Sequence, residues 1–278
     1  MSGSNTKVKT GAAGRADGTF SFEGLGLTVV LLGIIVIFSF INPRFFAVEN
    51  FLNILTQAAP FIIMAVGMTF VITAAGIDLS VGSILALSSV IGFEFMSSGG
   101  NPVIGVAIIL VVAVALGILN GALIAYLAIP PFIATLATMV SLRGLALLHS
   151  AGTMHFGLPE SVAFLGQGKV WGLPMPVLIA LLAALFGYWL LNFTKFGVYC
   201  RALGGNKEAL RLTGVSVKRV ELLVYGFMGL MVGLGGLVMI ARIDSTQATI
   251  GTGSEIHVIA AVIIGGTSLF GGKGTVYG

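Results

Sequence analysis

Pro102 to Ile129 reads PVIGVAIILVVAVALGILNGALIAYLAI, a run of 28 residues without one formal charge. A helix rises 1.5 Å per residue and about 20 apolar residues span the hydrocarbon layer of a bilayer. The stretch is therefore long enough to cross a membrane with tilt or a local break, and too apolar to be a loop. Working outward from it, seven further apolar stretches separate: roughly 24–41, 51–75, 81–98, 131–149, 173–193, 220–241 and 255–271. The composition agrees. Of 278 residues, 57% are hydrophobic and only 9% charged, where soluble domains run near a quarter charged. The 40 glycines follow no period of three, which excludes a collagen-like chain, and their apolar surroundings exclude a disordered one. The fold class expected is all-α: a polytopic membrane helix bundle of about eight spans with broken helices.

Turn chemistry punctuates the spans. Asn42-Pro43-Arg44 closes the first, Gly99-Gly100-Asn101-Pro102 separates the third from the fourth, and Pro130-Pro131 separates the fourth from the fifth. Six of the 14 basic residues fall between Thr194 and Arg219 (Lys195, Arg201, Lys207, Arg211, Lys218 and Arg219), which places that segment on the cytoplasmic side. An even number of spans precedes it, so the amino terminus lies on the same side, in keeping with Lys7, Lys9 and Arg15. The chain thus divides into a polar cytoplasmic tail, 1–24, without the pattern of a cleaved signal peptide, and a transmembrane domain, 25–278, interrupted by the cytoplasmic segment 194–219.

Two glycine pairs, Gly117 with Gly121 and Gly229 with Gly233, stand four apart in apolar helices, a spacing that lets backbones approach closely. An internal echo joins the stretch Phe70 to Gly82 with Ile259 to Gly271: each is an apolar run broken by glycine, then Ser and Leu adjacent, then glycine. Glycine-interrupted spans in two halves point to a transport pathway built from structural repeats. Asp78 and Arg143 lie at or within apolar segments, where a charge needs a partner or water. Each has two readings: lining an aqueous path, or satisfying backbone, with Asp78 capping the helix that begins near Leu79 and Arg143 bonding carbonyls freed at a break.

Catalytic readings fail on spacing. Gly271-Gly272-Lys273-Gly274-Thr275 lacks the first glycine and the Gly-Lys-Ser/Thr order of a phosphate loop, so no ATP site is expected in this chain. His149, His155 and His257 show no metal-binding spacing, and Cys200 is the single cysteine, which excludes an internal disulfide or a multi-cysteine metal site. No catalytic residue, bound metal or cofactor is expected, and the net charge of +4 is accounted for by cytoplasmic loops rather than nucleic acid. The segment 201–219 carries the clearest signal. Asn206 can cap a short helix, Ala209, Leu210 and Leu212 give it an apolar face, and Gly214 can end it. A short amphipathic helix of this kind wants a partner, be it another protein or anionic lipid.

These residues resemble a known pattern. Ala65 to Ile72 with Gly76 to Ser83, Asn120-Gly121 with Ile129 to Leu136 and Arg143-Gly144, Ala202 to Asn206, and Ile259 to Leu269 together are similar to the permease subunits of bacterial sugar ABC importers of the ribose, xylose, galactose and autoinducer group. The resemblance covers about residues 45–278. It implies a multi-pass inner-membrane permease working as a homodimer or heterodimer with a second permease subunit, a periplasmic sugar-binding protein, and a cytoplasmic ATPase pair that binds ATP and Mg. It implies that Gly205 to Gly214 is the coupling helix, with Gly205, Asn206, Ala209, Leu212 and Gly214 facing the ATPase. Asp78, Asn120, Thr135 and Arg143 are then the polar groups beside the translocation path. The group it resembles continues for several tens of residues past the Gly-Gly-Thr-Ser-Leu motif, so the expectation is that this sequence, ending at Gly278, is truncated. An ion-coupled secondary transporter is the alternative reading, for which Asp78 and Glu94 are the available carboxylates.

Overall fold

The computed structural model describes residues 22–42 and 44–278. The expectations for the polar tail rest on residues 1–21, outside the described residues. Eleven helices follow in order among the described residues: α1 (Phe22–Ile41), α2 (Val48–Thr73), α3 (Val81–Ser97), α4 (Pro102–Leu127), α5 (Pro131–His149), α6 (Glu160–Gln167), α7 (Met175–Phe193), α8 (Lys195–Gly205), α9 (Lys207–Leu212), α10 (Val217–Ile243) and α11 (Ser254–Ile264). Four two-residue strands form two small ladders: β1 (His155–Phe156) with β4 (Ser245–Thr246), and β2 (Lys169–Val170) with β3 (Leu173–Pro174). The described residues divide into two compact units that part after Phe51. In the first, α1 is followed by a turn whose Phe45 ring stacks on Phe38.

Each of the eight apolar stretches contains a helix, and five helices among the described residues (α2, α4, α5, α7 and α10) are long and apolar enough to cross a membrane. The last stretch corrects the expected boundaries. Helix α11 has 11 residues, about 16 Å at 1.5 Å per residue, and 265–271 are turns rather than helix, so this segment reaches only half-way across a bilayer. Conversely α10 starts at Val217, not near 220, because Lys218, Arg219 and Glu221 continue its first turns.

Local chemistry sets the helix ends. Asn101 Oδ1 accepts the Val103 N–H at 2.9 Å and Pro102 sits at the first helical position of α4, where its missing N–H costs nothing. Pro131 and Pro176 lie in the first turns of α5 and α7 in the same way. The end of α2 is a Schellman arrangement in which the Ala75 N–H donates to the Ile72 carbonyl and the Gly76 N–H to the Val71 carbonyl, each at 2.9 Å. It holds Ala75 at φ +61°, a left-handed conformation usually left to glycine.

Helix α10 is the innermost of the bundle and packs along α4 through the two glycine pairs. A side-chain carbon on Gly117 would stand 3.0 Å from the Gly229 Cα, and one on Gly229 would meet the Ala113 carbonyl carbon at 3.0 Å. The glycine spacing read from the sequence therefore describes a real face-to-face approach, tight enough that dispersion between backbones holds the pair where no hydrophobic drive separates helix from lipid. Helix α7 has the opposite character: Leu181, Leu182 and Leu185 are each more than half exposed, a surface that suits acyl chains and not water.

Candidate functional site

The break between α2 and α3, residues 74–80, carries the most concentrated polar chemistry of the interior. Asp78 is fully buried; its Oδ1 accepts from the Ser80 backbone N–H at 2.8 Å and the Ser80 hydroxyl at 2.6 Å. This is an Asx-turn that leads the chain into α3. From α4, Asn120 Nδ2 donates to the Ser80 hydroxyl oxygen at 2.7 Å. The Ile77 carbonyl, freed by the break, faces the Thr135 hydroxyl of α5 at 3.4 Å and the Tyr225 hydroxyl of α10 at 3.3 Å. Four helices thus converge on one non-helical turn, as irregular backbone in a membrane protein must be satisfied by protein groups. Two acceptors are left over: Asp78 Oδ2 and Asn120 Oδ1 are buried and receive no hydrogen bond from the described residues.

Three of the four expected path residues, Asp78, Asn120 and Thr135, therefore meet. Arg143 does not join them. Its Nη1 donates to the carbonyls of Ala248 at 2.6 Å and Ile250 at 2.9 Å, in the irregular connection that precedes α11. That connection packs on the start of α3, where a side-chain carbon on Gly82 would lie 3.0 Å from the Gly251 carbonyl carbon. Arg143 thus clamps this connection to α5. Replacing it with leucine leaves two carbonyls without their charged donor, at about 1.5–3 kcal/mol. The expected result is a lowered thermal midpoint with faster amide exchange over 247–253, partly restored by Arg143→Lys; an unchanged exchange profile would contradict the clamp.

Ser80 and Tyr225 belong to the cluster although sequence reasoning did not single them out. Tyr225 stands four residues before Gly229 and eight before Gly233, on the glycine face of α10, and that spacing was the available signal.

The segment 194–219 folds as two short helices joined at an elbow. Thr194 caps α8, and Arg201 ties it back to α7 by donating to the Leu191 carbonyl at 2.9 Å and Asn192 Oδ1 at 2.7 Å. Asn206 Oδ1 accepts the Ala209 N–H at 2.9 Å, the cap read from the sequence, and Gly214 leaves α9 at φ +81°. The apolar face is corrected: Leu210 turns inward and is buried, whereas Ala209 and Leu212 lie on the opposite, exposed side, Leu212 with 78% of its surface free. Adjacent positions of a helix are about 100° apart, so Leu210 cannot share a face with both neighbours. Lys207 pairs with Glu221 of α10 at 2.6 Å, holding the start of α9 to the bundle, and Arg211 pairs with Glu208 on the exposed side.

Comparison with known proteins fits this architecture. The pattern of the family described as "Branched-chain amino acid transport system / permease component" matches residues 50–278. The ribose import permease of Escherichia coli (strain K12) is 41% identical over 254 residues, covering 90% of this chain and 79% of its own length. The D-allose transport system permease of the same strain is 35% identical over 279 residues, covering 99% and 86%. The galactose/methyl galactoside import permease of Salmonella typhimurium is 36% identical over 279 residues, covering 94% and 83%. No solved structure matches. The bundle, the broken helices and the match over 229 consecutive residues agree, and the chain belongs to this family of transport-system permease components.

Proposed function

We propose that the chain is the inner-membrane permease subunit of an ATP-driven importer for a sugar or sugar-like solute, with ATP and Mg held by a separate cytoplasmic ATPase. The observation that carries the solute class is a pair of buried acceptors, Asp78 Oδ2 in the α2–α3 break and Asn120 Oδ1 on α4. A neutral polyol supplies hydroxyl donors to such oxygens once the break opens to the path. The family description names branched-chain amino acids, whose carboxylate is held most strongly by a cation. The cluster of Asp78, Ser80, Asn120, Thr135 and Tyr225 offers none, and Arg143 is turned to the carbonyls of Ala248 and Ile250. The named relatives, all sugar permeases, point the same way.

The ATPase side of the reading rests on α9. Its exposed Ala209 and Leu212, beside Gly205 and Asn206 and ending at Gly214, make a small knob with no partner among the described residues. A cytoplasmic ATPase gripping it, a solute-binding protein on the 151–172 and 242–254 connections and a second permease subunit would bias one inward–outward equilibrium. The amino terminus then lies in the cytoplasm.

Uptake into vesicles of labelled D-ribose, D-allose, D-galactose and L-leucine tests the solute: one of the sugars is expected to enter, to continue when ion gradients are collapsed, and to stop when ATP is removed. Leucine uptake alone, or uptake that follows the ion gradient, would overturn the proposal. Sidedness is read by Leu212→Cys and a membrane-impermeant maleimide, with labelling expected only in inverted vesicles. The native background is silent, because Cys200 is fully buried and burial pushes its thiol up to about 12, leaving almost no thiolate at neutral pH.

A further inference from the structure

The stretch before α9 has a feature that neither the path nor the exposed knob uses. Three pieces of backbone meet there without a side chain between them. The carbonyl of Thr73, the last residue of α2, has lost its helical partner to the break and accepts instead the N–H of Gly272, at 2.9 Å. The end of α2 and the turns that follow α11 are thereby joined. Gly204, near the end of α8, lies directly on this hydrogen bond: a side-chain carbon placed there would collide with the Thr73 carbonyl oxygen and stand 2.6 Å from the Gly272 nitrogen. The neighbouring contacts are equally close. A carbon on Gly271 would stand 2.7 Å from the Ala75 Cβ and 2.9 Å from the Gly204 carbonyl oxygen, and one on Gly272 would reach the Gly205 Cα at 3.2 Å. Gly205, the next residue along, has open space around it, and Asn206 then caps α9.

We infer that Gly204 is a positioning residue for transport: its bare backbone transmits movement of the α9 elbow to both broken segments at once, through the Gly272–Thr73 hydrogen bond. Backbone packed on backbone is stiff. It has no rotamers to absorb a displacement, and packed contacts of this kind hold discrete arrangements rather than yielding continuously. A shift of α9 must therefore carry α8's end, the 265–278 turns and the α2–α3 break with it. The same break presents Asp78 and Ser80 to Asn120. A methyl group at Gly204 would prise the three segments apart while leaving the exposed side of α9, with Ala209 and Leu212, as it is. The inference rests on the proposed grip of an ATPase on α9.

The test is the number of ATP molecules hydrolysed per solute taken up, measured in proteoliposomes of the complete complex with whichever of ribose, allose or galactose the wild type transports. Gly204→Ala is expected to raise that number at least tenfold, with the ATPase still co-purifying and the thermal midpoint within a few degrees of wild type. Gly144→Ala, in open space within α5, is expected to match wild type. If Gly204→Ala does not insert, a glycine inserted between Gly205 and Asn206 serves instead: it leaves the packed contact and α9 intact but slackens their connection, and is expected to uncouple likewise. An unchanged ratio in whichever variant assembles, or equal uncoupling by Gly144→Ala, overturns the inference. Leu212→Asp separates the two levels. If it leaves ATPase binding intact, the grip on α9 is wrong. If it abolishes binding while Gly204→Ala stays coupled, only the role of Gly204 fails.

Discussion

Asp78→Ala is expected to lower uptake by about thirtyfold or more. Among the described residues the carboxylate is the one acceptor for two buried donors, the Ser80 N–H at 2.8 Å and the Ser80 hydroxyl at 2.6 Å, and both would lose it. A buried donor without a partner costs about 1–3 kcal/mol, so the two together cost about 2–6 kcal/mol, and each 1.4 kcal/mol is a factor of ten in a population. The loss falls on the one turn where α3, α4, α5 and α10 meet, and it frees the Ser80 hydroxyl that receives Asn120. Asp78→Asn keeps an oxygen for Ser80 and replaces the donor-less Oδ2 with an amide group. It is expected to insert and fold like wild type and to hold uptake within about tenfold, the span of roughly one hydrogen bond. Vesicle uptake with thermal midpoints on the same preparations checks both. Wild-type uptake by Asp78→Ala would show that the break is held by something other than this carboxylate.

Much of this arrangement was legible in the sequence because two physical signals act over short range. An apolar run of span length must lie in lipid or in a bundle, and a polar residue inside it must find a partner. Those signals located the apolar helices and brought Asp78, Asn120 and Thr135 into consideration. Hydropathy failed where composition and conformation part. Residues 265–271 (GGTSLFG) keep the low charge of a span but have the glycines of a turn, and α11 stops before them. Lys218, Arg219 and Glu221 have the charge of a loop, yet continue a helix because Glu221 is buried and paired with Lys207.

Convergence was harder to read, since it is set by packing between distant segments. Tyr225 is 148 residues from the Ile77 carbonyl that it meets. Arg143 is 105 residues from the Ala248 carbonyl that it holds. Of the two readings open to Arg143, the hydrogen bonds favour the structural one, while Asp78 serves the turn with one oxygen and leaves the other without a donor. The echo between 70–82 and 259–271 acquires a physical content that sequence did not supply: the turns ending the second stretch are bonded to the end of the helix in the first, Gly272 to Thr73.

The largest loss of stability is expected from Gly229→Leu. A leucine side chain there has to enter space already filled by α4, whose Ala113 carbonyl carbon and Val114 Cα would lie 3.0 and 3.1 Å from its first carbon. The obstacles are backbone atoms and cannot rotate away. The two helices must separate or shift along one another, which strips contacts from the most buried helix of the bundle and disturbs Tyr225, one turn before, together with its bond to Ile77. Overpacking of a fitted core costs about 1–3 kcal/mol even where side chains can adjust, so the upper end or beyond is expected here. Gly117→Leu faces the same gap from the other side, within 3.0 Å of the Gly229 Cα. Once one leucine has forced the helices apart, the second enters space already opened. The double variant should therefore cost clearly less than the sum of the singles, a coupling that distant sites do not show. Gly144 supplies the contrast. It lies within α5 with open space around its Cα, and Gly144→Ala removes only the conformational freedom of glycine in a helix, which should raise the thermal midpoint slightly, by the equivalent of about 0.5–1 kcal/mol. Thermal midpoints of the four variants in detergent, compared as a cycle, decide it. Strict additivity of Gly117→Leu and Gly229→Leu would mean that α4 and α10 are not held together through these glycines.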